Sequence, residues 1–332
     1  MDELVDQIIT LDFEELDGYE NSFPIDERFG LVINYNDVKY EFLIHFKSNA
    51  DKVYCIGSGA ITPKDMVRFK DKPVFKRQSW DSFPEMNVST IFYNDPTRYK
   101  YPNLHVSWGI GTPDDYFLEN IGKMLDKIFI LNNIRNSDVV FYSSSGGGFM
   151  SIQLATMLPG SVAWADIPQT NLRNFSTYLK TVRTIFKDEF NVKDYVHRFD
   201  CIEYIKKIKY VPKIYLVMSC GFQDVFYHDI PFIDSLRKLD YYDTKNNKLK
   251  ILINPKRTHA FLNRDQFFYL MKKYSHFDNF EEMPDLAILK NGQPTVFKQN
   301  LEESMPLYKD DINRLIEELQ NLNILYNEKQ DG

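Results

Sequence analysis

The chain has 332 residues, 43% of them hydrophobic and 26% charged, with a formal net charge of −7. A chain of that length and balance buries its own core without staples, which excludes a disulfide-dependent mini-protein and a disordered chain. The acidic balance argues against nucleic acid as the partner. Cys55, Cys201 and Cys220 have neither a disulfide framework nor zinc-ligand spacing, and Cys55 and Cys220 read as core residues. The 26 Phe and 21 Tyr suit either an aromatic core or platforms for stacking sugars.

In chain order, Asp2–Thr10 is a short helix candidate, and the acidic start carries no basic region of a secretory signal. Residues 29–36 and 38–46 alternate apolar and polar around Asn36–Asp37, which predicts a hairpin at an antiparallel edge. Short strands follow at 52–57 and 88–93, and a helix with Leu118, Ile121, Leu125 and Ile128 on one face spans 115–131. Further strands are expected at 138–142, 162–165, 213–219 and 249–253, with helices over 151–158, 230–238 and 264–274. Residues 171–210 read as a helical insertion where a lid usually sits. A second hairpin is expected around Asn291–Gly292, then a helix over 309–323. No apolar run reaches the ~18 residues that span a bilayer.

Nearly continuous apolar strands alternating with helices predict an α/β fold: a mainly parallel sheet covered on both faces, with ligands beyond the carboxyl ends of its strands. The expected division is an N-terminal extension over 1–28, a main domain over 29–280 and a hairpin-plus-helix extension over 281–332.

The centre of the sequence is Tyr142–Ser143–Ser144–Ser145–Gly146–Gly147–Gly148, between an apolar strand and a helix. A nucleophile elbow needs small residues two before and two after the nucleophile, because strand and helix close on each other. Ser145 satisfies this with Ser143 and Gly147, whereas Ser144 and Ser143 would place Tyr142 and Phe141 there. An anion-binding turn and a plain turn are the competing readings. A serine hydroxyl needs a base, and the base a carboxylate. After the strand 213–219 comes Asp224, with Asp229 as runner-up, and after 249–253 comes His259, which reproduces the order serine, acid, histidine. His228 breaks that order but lies where it would line the pocket. Oxyanion donors are expected from Gly146 and from the loop Ser58–Gly59–Ala60. No metal motif is present.

These pieces resemble the α/β-hydrolase superfamily across 29–274. A narrower resemblance, to bacterial proteins of the accessory Sec system and of capsule biosynthesis, rests on four stretches. They are Asp95–Pro96–Thr97 with Tyr99, Ser107–Trp108–Gly109–Ile110–Gly111–Thr112, the 142–147 turn and Ile167–Pro168–Gln169–Thr170. That branch reads D-P-T-x-Y, W-x-x-G-T, G-x-S-x-G-G and N-P-Q-T; here Ser143 replaces Gly and Ile167 replaces Asn. The resemblance implies O-acetyl transfer to, or O-acetyl hydrolysis from, a bacterial surface glycan or its precursor. Trp108 and Gln169 would then bind substrate, no cofactor would be tightly held, and acetyl-CoA would be the acyl donor of a transferase. It also implies glycan-biosynthesis proteins as partners, in the cytoplasm or at the inner face of the membrane. A homo-oligomer is left open, and a non-catalytic scaffold of a glycan export complex is the alternative.

Overall fold

A computed structural model describes residues 1, 3–19, 23–187, 191–219, 225–243, 248–254, 259–290 and 293–296, and 314–315, 317–319 and 321–322 near the C terminus. Its strands are β1 (Ile8–Asp12), β2 (Arg28–Tyr35), β3 (Val38–His45), β4 (Val53–Ile56), β5 (Ser89–Tyr93), β6 (Val139–Ser144), β7 (Val162–Asp166), β8 (Lys213–Ser219), β9 (Leu249–Asn254), β10 (Leu286–Lys290) and β11 (Gln293–Val296). Between them lie helices α1 (Pro63–Arg68), α2 (Thr97–Lys100), α3 (Phe117–Leu131), α4 (Gly146–Met157), α5 (Tyr178–Phe186), α6 (Val192–Tyr195), α7 (Cys201–Ile208), α8 (Ile230–Arg237) and α9 (Arg264–Lys273). No described helix is long and apolar enough to cross a membrane.

The described strands form one sheet in the order β1-β2-β3-β5-β4-β6-β7-β8-β9-β10-β11, parallel from β5 through β4 and on to β10. Strands β6, β7 and β9 are buried along their whole length, which is why they read as unbroken apolar runs. Alternate residues feed two cores. Phe141, Ala163, Leu216 and Ile251 meet α3, α4, α7 and α8 on one face. Val140, Tyr142, Trp164 and Tyr215 meet α9 and the 75–88 connection on the other. Both cores are rich in aromatic side chains, and in the second Trp164 stacks on Phe267 at 4.6 Å and Tyr142 meets Phe267 at 4.5 Å.

The hairpin at Asn36–Asp37 forms as expected, with φ of 51° and 56° at its two turn residues. It is not the sheet edge. The expected N-terminal helix is replaced by β1, which pairs in parallel with β2 from Ile8↔Gly30 to Asp12↔Asn34. Ile8, Ile9 and Thr10 are β-branched and find an open strand edge to pair with, so tertiary pairing overrides a weak local helical pattern. At the other end β10 extends the sheet in parallel with β9, and β11 closes it as a hairpin whose turn residues, Asn291–Gly292, lie outside the described residues. The helix expected over 309–323 is described only in part, at 314–315, 317–319 and 321.

The 171–210 segment is well packed. Helix α7 lies on α4 with Cys201 and Ile205 fully buried. Arg198 donates to the carbonyls of Thr112 at 2.6 Å and Pro113 at 3.2 Å. Asp200 caps α7 and binds Arg173 at 2.8 Å.

Candidate active site

Strand β6 ends and α4 begins at Ser145, whose φ of 57° and ψ of −125° make it a strained non-glycine turn residue. Backbone hydrogen bonds hold the strain: Ser145 N–H donates to the Asp166 carbonyl at 3.0 Å, and the Gln169 and Phe149 N–H groups each donate to the Ser145 carbonyl at 3.3 Å. The three serines point to three different environments. Ser143 is fully buried and donates to the Gly57 carbonyl at 2.8 Å. Ser144 accepts from Arg77 Nη2 at 2.8 Å. Ser145 is half-buried, does not cap its own helix, and its hydroxyl has no hydrogen-bond partner among the described residues.

The small-residue rule has a visible cause. A Cβ on Gly147 would lie 1.9 Å from Ser143 Oγ, so the positions two before and two after Ser145 touch each other. A Cβ on Gly59 would lie 2.8 Å from the Ser144 carbonyl and within 4 Å of the Gly146 and Gly147 amides. Gly59 therefore brings the 57–60 loop over the first turn of α4, beside the residues expected to supply an oxyanion hole. In that loop Ser58 Oγ donates to the Val74 carbonyl at 2.7 Å, and the Ala60 carbonyl accepts from Lys76 Nζ.

Trp108 and Gln169 are 1% and 2% exposed and are joined by a 2.7 Å hydrogen bond from Trp108 Nε1 to Gln169 Oε1. That bond joins the Trp108 Nε1–H to the Gln169 Oε1 inside the protein. Asp95 explains the surrounding motif. Its Oδ2 accepts from Ser107 Oγ at 2.7 Å and Gly109 N–H at 2.8 Å, and its Oδ1 accepts from Thr97 N–H at 3.0 Å. This fixes Trp108 at its positive φ of 52°. Phe175, from the 171–210 segment, meets the Trp108 ring edge-on at 5.7 Å.

His259 is half-buried at the start of the described stretch after β9, and Asp224 lies outside the described residues. No hydrogen bond joins the Ser145 hydroxyl to His259 in this structure. His228 is 1% exposed, and its carbonyl accepts from Thr170 Oγ1 at 2.7 Å, so it is enclosed next to α8. Among the described residues no cluster of three His, Cys, Asp or Glu side chains is placed to hold a metal ion.

Two groups that the motifs did not single out stand at the site. One is Arg77, at φ 66°, whose guanidinium reaches Ser144 from a residue 67 positions earlier. The other is Asp166, at the end of β7 and paired in register with Ser144. Its carboxylate is fully buried: Oδ2 accepts from Leu262 N–H at 2.9 Å and Tyr142 Oη at 3.3 Å, while Oδ1 has no partner among the described residues. Burial pushes its carboxyl up to about 7, against the opposing effects of the Leu262 N–H, Arg77, Tyr142 and His259. A strand-end Asp followed by Ile167–Pro168 carries no signal in sequence that it will be sealed from water.

Asp166 has a stability consequence. The unfolded carboxyl ionises near 4 and the folded one near 7, so the folded state holds the proton longer and loses stability as pH rises through that window. The displacement corresponds to about 4 kcal/mol. Asp166→Asn cannot ionise, so its melting temperature is expected to gain on that of the native protein from pH 4 to pH 8. Parallel curves would show that the carboxylate is not held protonated.

No family profile and no curated protein matches the sequence. Solved structures do match. A chain of the glycosylation-associated protein complex (Gap123) of Streptococcus agalactiae superposes with a TM-score of 0.53 and 12% identity, over 76% of this chain and 47% of that one. The capsule O-acetyltransferase of Neisseria meningitidis serogroup A gives 0.51 and 15% identity, over 80% and 98%. Dipeptidyl peptidase 4 of Porphyromonas gingivalis gives 0.51 and 12% identity, over 77% and 36%. The chain thus spans under half of the glycosylation-associated chain and nearly all of the acetyltransferase. These likenesses establish the α/β-hydrolase fold, as the sequence resemblance implied.

Proposed function

We propose that this α/β-hydrolase-fold protein is a serine esterase or O-acyltransferase that works through a covalent acyl-enzyme, with O-acetyl groups of a bacterial surface glycan or its precursor as substrate. The observation that carries the reading is Ser145: a strained, positive-φ residue at a strand-to-helix turn, with its hydroxyl neither buried nor spent on the fold. Ser145 Oγ attacks the acyl carbonyl as His259 takes its proton, and Asp224 orients His259. The oxyanion is held by the Gly146 N–H and by an N–H of the Ser58–Gly59–Ala60 loop, which Gly59 brings close. Collapse expels the alcohol or thiol, to which His259 returns the proton. The acyl group then passes to water or to a sugar hydroxyl activated by the same histidine. An acetyltransferase would draw the group from acetyl-CoA.

A second reading is a non-catalytic subunit of a glycan-biosynthesis complex, favoured by the likeness to a chain of a glycosylation-associated complex. The two readings part on one experiment. After mixing with 4-nitrophenyl acetate and acid quenching, the intact mass should rise by about 42 Da, the increment of one acetyl group, on the peptide containing Ser145. A folded protein that gains no mass at Ser145 and releases no nitrophenol overturns the enzymatic reading and leaves the subunit.

A further inference from the structure

Around the elbow the charge runs against the acidic whole. Arg77 and Lys76 both stand at the rim of the turn, and neither is in an ion pair among the described residues. Lys76 Nζ is held by the Ala60 carbonyl, and burial with repulsion from Arg77 pushes its ammonium down. Of the several N–H donors of the Arg77 guanidinium, only Nη2 has an acceptor among the described residues, the Ser144 hydroxyl. The group is fixed in direction by the rings of Trp80, Tyr142 and Phe261, each 5.3 Å from the guanidinium carbon. Phe261 is 50% exposed and lies two residues beyond His259, so one wall of this place is an open aromatic face.

The acid that acts on Arg77 from within is Asp166, which lies beyond ion-pair distance and whose burial keeps it largely protonated below neutral pH. A fork of donors, pre-oriented next to a candidate nucleophile and in no ion pair among the described residues, matches a planar or tetrahedral oxyanion.

We propose that Arg77, with Lys76 beside it and Phe261 as its wall, is an anion-recognition subsite that binds a carboxylate or phosphate carried by the substrate. The inference rests on the enzymatic reading for the word substrate, but the subsite is tested by binding. A carboxylate would come from an acidic sugar, and a phosphate from a phosphorylated donor or glycan.

The test is isothermal titration of the full chain with glucuronate and, separately, with pyrophosphate, at constant ionic strength. Saturable binding of at least one probe is expected, with affinity at least about tenfold weaker in Arg77→Ala. Arg77→Lys should fall between the two, because it keeps the charge and loses the fork. Preference for glucuronate assigns the acceptor sugar, and preference for pyrophosphate assigns a phosphorylated group. No saturable binding of either probe up to about 10 mM, or equal affinity in native protein and a folded Arg77→Ala, overturns the subsite. Thermal melts of both variants establish folding, and Arg77→Lys carries the test if Arg77→Ala does not fold. Acetyl-enzyme formation at Ser145 is read separately, so the subsite and the enzymatic reading fail independently.

Discussion

Ser145→Ala is expected to abolish covalent labelling by a fluorophosphonate and to lower ester turnover by at least about 10³-fold. The size follows from what the residue would do. Its oxygen forms the bond that divides one difficult acyl transfer into two easier ones, and no neighbour can replace it: Ser143 is buried against Gly57, and Ser144 is held by Arg77. The fold should tolerate the change, because the Ser145 side chain makes no hydrogen bond among the described residues and the positive φ is held by its backbone partners at Asp166 and Gln169. His259→Ala should also abolish labelling, since an alcohol without a base attacks slowly at neutral pH. Intact mass with and without the probe decides the matter. Labelling that persists in Ser145→Ala would place the nucleophile elsewhere. A folded native protein that resists even a small fluorophosphonate would favour the scaffold reading.

Asp81→Ala should destabilise the protein by about 3 kcal/mol without touching the nucleophile. Asp81 lies in the turn 78–82 with its side chain 2% exposed, ringed by Arg28 at 3.0 Å, His45 at 2.6 Å and Lys47 at 3.1 Å. Arg28 and His45 meet its Oδ2, while Lys47 meets Oδ1, to which Thr90 Oγ1 also donates at 3.1 Å. Removing the carboxylate leaves three basic side chains facing one another with no counter-charge. Burial alone would push the Asp81 carboxyl up, but the hydrogen bond and charge of His45, with Lys47 and Arg28, outweigh it and hold the group at about 2. A carboxyl held below its unfolded value stabilises the fold above about pH 4, and that contribution, about 2 kcal/mol, is lost as pH falls towards 2. Asp81→Asn should therefore flatten the acid limb of the stability curve, measured by urea denaturation at pH 2 and pH 6. An unchanged acid limb would show that the cluster contributes no net stability. Since the same connection carries Lys76 and Arg77 to the elbow, loosening it should also weaken anion binding there.

The opposite signs of Asp81 and Asp166 have one cause. Both carboxylates are buried, but Asp81 is met by basic groups at hydrogen-bond distance, whereas Asp166 has two neutral donors and only more distant cations. Proximity decides which effect wins, and proximity is a property of the folded chain.

The sequence by itself determined the local frame of the site. A strand, a small-residue turn and a helix are encoded within the short stretch around Ser145, because the clash that demands small side chains is between Ser143 and Gly147, near neighbours in the chain. The strand alternation was equally legible, since a strand buried on both faces must be apolar throughout. What only the tertiary structure decided lies in pairs far apart in sequence. Trp108 and Gln169 are 61 residues apart, and only the folded chain joins them by a hydrogen bond. Arg77 and Ser144 are 67 apart, and an arginine in a polar connection has no pattern that distinguishes it from a solvated one. Asp166 looks like any strand-end aspartate until β6, β8 and Leu262 close around it. Residues 8–12 became a strand because β2 offered an edge. Local spacing sets which backbone conformations a segment can take; which distant side chain arrives beside it, and whether water is shut out, depends on sheet pairing and layer packing that no short window of sequence contains.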